Sequence, residues 1–352
     1  MAALKNLKKK PVIEVIDLGW GYTKYSKTDA DGKSEFFSFP SLAPKSTRQD
    51  MSMGILGKRD TVVVEVEGTD YEVGPDSSDL DSNDSTRNLN DGYIFSDQYK
   101  ALFYGALHYM EADVIDLLVV GLPISGLNHI NALHKIMIGK HEIYKNKTVT
   151  VKNVLVLPQP LGGLYHCMSM KQDEKFQCLD EEYNLVIDPG FLTFDFLVSN
   201  GDKLIENRSD AHAGGVSKIL RAIALSISEK HHIKYENLSA IDKGLKRKFM
   251  KINGKKEDLL DHIKNTKSVI EGSVNYMKNI VGDGSDIDNI ILFGGGSEVF
   301  KKTIEAAYPK HSIIVLSDPQ FANVKGFKEA GLKHAEKLKL FDSEDDLKSD
   351  DI

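Results

Sequence analysis

Val12-Ile13-Glu14-Val15-Ile16-Asp17-Leu18-Gly19-Trp20-Gly21-Tyr22-Thr23-Lys24 is an apolar run that ends on an aspartate and turns through two glycines. The same grammar returns as Leu185-Val186-Ile187-Asp188-Pro189-Gly190-Phe191-Leu192-Thr193-Phe194-Asp195. Both contain Val-Ile-Asp-x-Gly, and the two aspartates stand 171 positions apart, about half of the 352-residue chain. Each copy then continues alike, with a second extended run (22–28; 193–199), a turn (Asp31-Gly32; Asn200-Gly201) and a third run. Glycine at such turns supplies the positive φ that a tight hairpin demands. Each copy therefore predicts a buried strand, a glycine turn, a returning strand and a hairpin, and the chain predicts two related lobes.

The intervening pattern alternates strands with helices, an α/β arrangement. Short apolar runs at 117–121 and 154–157 stop at Pro123 and Pro158, as buried strands do. Phe95, Tyr99, Leu102, Ala106 and Met110 mark one helix face, with Ser96 as its N-cap. The stretches 216–227 and 259–281 keep the 3.6-residue period, and 290–293 is a further buried strand. The organisation expected is a flexible basic N-terminus (1–11), a first lobe (12–172), a second lobe (173–335) whose last helix can return to the first, and an acidic disordered tail (342–352). The Asp- and Ser-rich stretch 75–92 reads as an exposed loop or lid.

No run approaches the ~20 apolar residues that span a bilayer, and the start has no signal-peptide core, so a cytoplasmic protein without membrane contact is expected. Cys167 and Cys178 have neither metal-ligand spacing nor partners and read as reduced thiols. The histidines, His231-His232 included, lack ligand spacing and read as surface residues. The formal charge is −7, with −5 in 342–352 and +4 on Lys5, Lys8, Lys9 and Lys10. The body between is mildly acidic, which disfavours direct contact with DNA phosphates.

A carboxylate at a strand end followed by glycines turns backbone N–H groups toward any anion held there. In the first copy these are Asp17, Gly19, Trp20, Gly21 and Tyr22, with Lys24 as a point charge; alone, the segment also fits an ordinary hairpin with a surface lysine. The second copy, Asp188, Gly190, Phe191 and Thr193, turns the pair into a clamp for a polyphosphate. Asp17 and Asp188 then converge on one cation, and Mg²⁺ suits them because it keeps most of its waters. Gln159 follows the strand 154–157 and precedes an expected helix start at Gly162-Gly163; its amide orients an attacking water or is a plain polar turn residue. Gly214-Gly215 and Gly294-Gly295-Gly296-Ser297 offer bare backbone to a flat ring. Lys267 and Glu271, four apart on a helix, reach a ribose hydroxyl or form a solvent-exposed ion pair. There is no GxxxxGK[ST], and no GxGxxG follows a strand, which excludes a P-loop NTPase and argues against a dinucleotide enzyme.

Phosphate loop, strand-end glutamine, second phosphate loop, Gly-Gly helix start and Gly-Gly-Gly-Ser loop occur here in the order found in the actin/Hsp70/sugar-kinase superfamily. Within it the chain resembles the ParM/StbA group of prokaryotic actin-like proteins. Asp17–Lys24, Phe39-Pro40-Ser41-Leu42-Ala43-Pro44, Pro158-Gln159-Pro160, Asp188–Asp195, Gly294–Ser297 and Pro319-Gln320-Phe321-Ala322-Asn323 carry the likeness. It implies two RNase H-like lobes around a nucleotide cleft and places Asp17 and Asp188 at Mg²⁺, through water. It assigns Gly19, Gly21, Lys24, Gly190 and Thr193 to phosphates, Gln159 to water, and Gly214, Gly215, Gly294, Gly295 and Gly296 to the nucleoside of ATP or ADP. Bulky Trp20, Tyr22 and Phe191-Leu192 depart from the family's small residues, leaving N–H groups but removing hydroxyls. The resemblance further implies a slow Mg-dependent ATPase that forms head-to-tail filaments and serves plasmid or DNA segregation through a DNA-binding adaptor. A small-molecule kinase of the same superfamily and a non-polymerising ATP-dependent scaffold are the alternatives; the kinase needs a carboxylate base where Gln159 stands.

Overall fold

The apolar runs that end on Asp17 and Asp188 are central strands, buried on both faces, which is why they show no alternation of apolar and polar residues. The computed structural model describes residues 10–46, 59–80, 92–144 and 147–341. The expected features at 1–9, 81–91 and 342–352 lie outside these residues.

In the first sheet β1 (Ile13–Leu18), β2 (Tyr22–Thr28) and β3 (Ser34–Pro40) form an antiparallel meander. β4 (Leu117–Leu122) and β5 (Val154–Pro158) join in parallel on the other side, giving the order β3-β2-β1-β4-β5. The second sheet repeats this plan with β6 (Tyr183–Pro189), β7 (Phe194–Asn200), β8 (Lys203–His212), β9 (Asn289–Leu292) and β10 (Ile313–Val315), ordered β8-β7-β6-β9-β10. Two antiparallel and two parallel pairings recur in the same places. The duplication predicted from two short motifs thus extends to whole sheets. The glycines of the predicted turns, Gly32 and Gly201, have φ of 93° and 59°.

Among the described residues seven helices run ten residues or more: α1 (Asp97–Met110), α2 (Gln159–Ser169), α3 (Val216–His231), α4 (Leu238–Arg247), α5 (Lys267–Val281), α6 (Ser297–Ala307) and α7 (Ala322–Lys337); a shorter one, Ile130–Met137, packs Leu133 and Met137 into the first lobe. Ser96 caps α1 as expected, its side chain accepting from the Tyr99 N–H, but Phe95 lies before the helix and is exposed. The periodic stretch 259–281 is interrupted: a single helical turn at Leu260–Ile263 and a 3₁₀ turn at Lys264–Thr266 precede α5. Among the described residues, no helix is long and apolar enough to cross a membrane. Cys167 and Cys178 are free, and burial pushes the Cys167 thiol up to about 12.

The sheet faces nearest the seam exchange helices. Leu161, Leu164, Cys167 and Met168 of α2 pack on Val186, Leu197, Ile291 and Phe293 of the second sheet and its edge. Val324, Phe327 and Ala335 of α7 pack on Ile13, Val15, Leu117 and Val119 of the first. The two helices cross at glycine: a Cβ on Gly326 would stand 1.7 Å from the Gly162 carbonyl oxygen, and one on Gly163 2.0 Å from the Phe293 ring.

An antiparallel hairpin, Phe249–Ile252 with Lys255–Asp258, turns at Asn253-Gly254, where φ is 48° and 79°. Its Met250 and Ile252 join Ile241 and Leu259 in the second lobe's core. Glu257 is buried there, 2.6 Å from Lys230 Nζ and 2.8 Å from both His231 Nε2 and His262 Nε2. His262 and His141 are buried, so the expectation that every histidine lies on the surface is wrong; sequence spacing does not reveal partners on separate elements. Burial opposes the Glu257 carboxylate, but hydrogen bonds from Lys230, His262 and His231 outweigh it and hold the pKa down to about 2. A depressed carboxylate contributes stability above its unfolded value and loses it as pH falls toward 2. Glu257→Gln is accordingly expected to destabilise the fold at pH 7 and to do so much less near pH 3, measured by denaturant unfolding.

Candidate functional site

A cavity of about 160 Å³ lies between the sheets, and both repeat aspartates line it. The loops after β1 and β6 touch across it, since a Cβ on Gly21 would come within 2.7 Å of Phe191 Cβ. Strand pairing sets Lys24 opposite Asp17 and, at the equivalent place in the second sheet, Asp195 opposite Asp188.

Each carboxylate has partners brought from distant segments. Lys24 Nζ donates to Asp17 Oδ2 at 2.8 Å, and the Gln159 amide donates to Asp17 Oδ1. Asn323, in the first turn of α7, donates to Asp188 Oδ2 at 2.7 Å. Thr193 donates its hydroxyl proton to Asp195, whose other oxygen accepts from the Ile124 N–H at 3.3 Å. The first loop is braced by Ser41, which donates to the Gly19 carbonyl at 2.6 Å. Trp20 stacks on Tyr93 with ring centroids 4.3 Å apart, so its bulk is anchored in the first lobe.

Electrostatics follow from burial. Burial works against the Lys24 ammonium, but Asp17 and Asp188 outweigh it and leave its pKa raised. Burial lifts Asp188 to about 6 against the pull of Lys24 and Asn323, with Asp17 adding to the rise. Burial lifts Asp195 to about 7 against its hydrogen bond from Thr193, with the charge of Asp188 adding. Both folded values exceed the unfolded value near 4, so their contribution to stability is complete below about 4 and lost as pH rises through 6 to 7. The protein is expected to melt higher at pH 5.5 than at 7.5 on their account, and Asp195→Asn to shrink that difference. An unchanged pH slope of Tm in the variant counts against this origin.

Of the predicted site residues, Asp17, Gly19, Trp20, Gly21, Tyr22, Lys24, Gln159, Asp188, Gly190, Phe191, Thr193 and Gly295 line the cavity. The others do not. Gly215 approaches the second loop, where a Cβ would meet the Gly190 carbonyl oxygen at 2.6 Å, and Gly214 approaches Ser273. The N–H groups of Gly215, Val216 and Ser217 donate to the carbonyls of Leu192, Gly190 and Phe191, pinning that loop to the start of α3. Gly294 has a φ of 90° and lies against Asp188, Gly296 packs on Val216 and Pro189, and Ser297 is buried behind them. Lys267 and Glu271 form an exposed ion pair at 3.6 Å and are not in the lining, the second of the two arrangements their spacing allows. The helix after β5 starts at Gln159, not at Gly162-Gly163; those glycines are helical because the crossing leaves no room for a Cβ.

Sequence reasoning gave no role to Asp195, Asn323, Gln320, Asp242, Ser38 or Val216, all of which line the cavity. Asp195 had a signal: it follows Asp188 by the same seven positions that separate Lys24 from Asp17. Asp242 on α4 had none.

Four carboxyl groups, Asp17, Asp188, Asp195 and Asp242, against the one ammonium of Lys24 suit a cation, and Gly295, where an added Cβ would meet nothing within 4 Å, leaves bare backbone on the wall. Among the described residues no group of three His, Cys, Asp or Glu is placed to hold a metal by itself. A cation here would need ligands from water and from a bound anion, as Mg²⁺ prefers.

Duplicated sheets with paired strand-end aspartates at their seam define an actin-type fold. Residues 15–162 match the model for the N-terminal domain of actin-like proteins, and residues 186–306 that for the C-terminal domain of the MreB-like archaeal actin homologue. In both halves the chain is thus similar to actin-like proteins, and its fold is theirs. A pCBH ParM non-polymerisable quadruple mutant is similar at 22% identity and TM-score 0.73, covering 92% of this chain and 100% of that one. An archaeal actin homologue is 20% identical at TM-score 0.73, covering 92% and 99%. A subunit of a 15-stranded ParM filament from Clostridium botulinum gives 20%, 0.73, 92% and 99%. The archaeal homologue is also solved in complex with ADP. No curated protein sequence matches.

Proposed function

We propose that this chain is a cytoplasmic Mg-dependent ATPase that assembles head to tail into nucleotide-gated filaments and moves plasmid or other DNA through a DNA-binding adaptor. The observation that carries the reading is the meeting of both Val-Ile-Asp-x-Gly turns at one cavity between two sheets. Bound Mg-ATP supplies the phosphoanhydride bond whose cleavage drives the cycle. Asp17 and Asp188 would hold the metal through water, while Lys24 and the backbone at Gly19, Gly21, Gly190 and Thr193 would face the phosphates. Gln159 orients the attacking water; a neutral amide positions water better than it deprotonates it, so turnover is slow. Gly295, whose backbone is bare on the cavity wall, would lie against the nucleoside.

A ligand gripped from both lobes favours the closed form by its difference in affinity for closed and open states. A head-to-tail contact between closed copies is heterologous and does not close on itself, so it propagates. The filaments of similar ParM proteins support the same reading. The test is a light-scattering rise on adding ATP and Mg²⁺ that pellets on centrifugation and is absent for Asp188→Ala. No polymer in ATP or in a slowly hydrolysed analogue would sink it.

A further inference from the structure

The hairpin Phe249–Ile252/Lys255–Asp258 and the end of α4 before it are strongly cationic in a chain whose net charge is negative. Residues 243–256 hold seven lysines and arginines and no acid, leaving −14 on the other 338 residues of a chain whose total is −7. Lys243, Arg247, Lys248, Lys251, Lys255 and Lys256 are all exposed. Among the described residues none of the six is in an ion pair; Lys256 lies over the Phe249 ring at 4.6 Å. Two acids beside the patch are engaged, Glu257 by Lys230 and two histidines and Asp261 by Lys264 at 2.9 Å, while the exposed Asp258 at the end of the hairpin offsets one of its charges. Holding several like charges on one exposed hairpin costs stability through mutual repulsion, which an anionic partner removes.

We propose that this cationic hairpin is a docking surface for the acidic segment 342–352 of a second copy of the same chain. That segment carries net −5, the densest negative charge in the sequence. It follows Leu340 and Phe341, which pack on the α7 side of the first sheet, whereas the hairpin belongs to the core of the second lobe. The two opposite charges therefore leave the molecule from different lobes, as the two ends of a heterologous contact must. Eleven residues reach up to about 35–40 Å when extended, so the contact needs no close fit of folded surfaces. Duplex DNA is the weaker occupant, because a long polyanion on the hairpin also meets the field of the acidic body. The inference rests on the head-to-tail reading for its biological meaning but not for its test.

The test compares full-length wild type with two variants: Lys251→Glu/Lys255→Glu/Lys256→Glu, and Asp342→Asn/Glu344→Gln/Asp345→Asn/Asp346→Asn. Neither set lines the cavity, so both variants keep the ATP-induced rise in Tm. Sedimentation velocity at low salt is expected to show association by wild type, weakened about ten-fold on raising salt from about 50 to 300 mM as charges are screened. Each variant alone loses association at least as strongly. An equimolar mixture of the two recovers a 1:1 complex and nothing larger, because one sound hairpin and one sound tail remain. Association of either variant like wild type, or none by wild type at low salt, overturns the proposal. A hairpin variant that associates normally but loses random-sequence duplex DNA overturns it in favour of nucleic acid. Hairpin-dependent association that ignores nucleotide leaves this contact standing and removes the nucleotide-gated filament. ATP-dependent polymer from the hairpin variant does the reverse.

Discussion

Asp188→Asn is expected to abolish ATP-dependent assembly and lower phosphate release by about 10²–10³-fold, with no loss of folded stability. Asp188 is buried, and burial lifts its pKa to about 6. At pH 7.5 the carboxylate is ionised at a cost to the fold, so the neutral amide removes a penalty. Asparagine keeps the shape and a polar contact to Asn323, which now donates to Asp188. What it removes is one of the two charges from opposite sheets that would grip one metal-bound triphosphate. The decisive pairing is therefore an unchanged or higher Tm without nucleotide and a lost Tm rise on adding Mg-ATP. A variant that still assembles in ATP excludes Asp188 from the nucleotide site; a variant that melts early reports only a folding defect.

Gly326→Val is expected to have the largest structural effect. Its Cβ would lie 1.7 Å from the Gly162 carbonyl oxygen and 2.7 Å from the His166 nitrogen, both backbone atoms that no rotamer change can move. The crossing of α2 and α7 must open, which uncovers Leu161 and Leu164 on one side and Phe327 on the other. Overpacking of this kind costs about 3 kcal/mol or more, and Tm is expected to fall by roughly 5–10 °C. Differential scanning calorimetry measures this directly. Gly92→Ala, where nothing lies within 4 Å of a Cβ, is the control and is expected to be neutral. A crossing that tolerates valine would mean the two helices are not the tight joint described.

The sequence made the central strands legible because β1, β4, β6 and β9 are short apolar runs punctuated by Pro, Gly or Asp, and the duplicated Asp-x-Gly turns located the cavity's two walls. The returning strands and the α1 cap followed from turn and capping chemistry that acts over three or four residues. What stayed hidden was decided by contacts across the fold. Gly162-Gly163 read as a helix start because glycine is a poor helix former, yet helix packing required them inside α2. Lys267 and Glu271 had the right spacing for a pair and nothing to say which way their helix faced. Asn323 was part of the family likeness without a role, since only the packing of α7 brings it to Asp188. Asp242 reaches the cavity from a helix whose local sequence is merely basic and amphipathic.

The exchange of α2 and α7 between sheets governs how the protein can be made. The apolar face formed by Ile13, Val15, Leu117 and Val119 is covered by Val324, Phe327 and Ala335. Some 200 residues separate β4 from α7, so at 5–20 residues per second that face waits roughly 10–40 s on the ribosome for its lid. Until α7 emerges, a nascent first lobe exposes that apolar face. Ending translation before Ala322 should yield insoluble product, and no cut in the chain will give two independently folding halves.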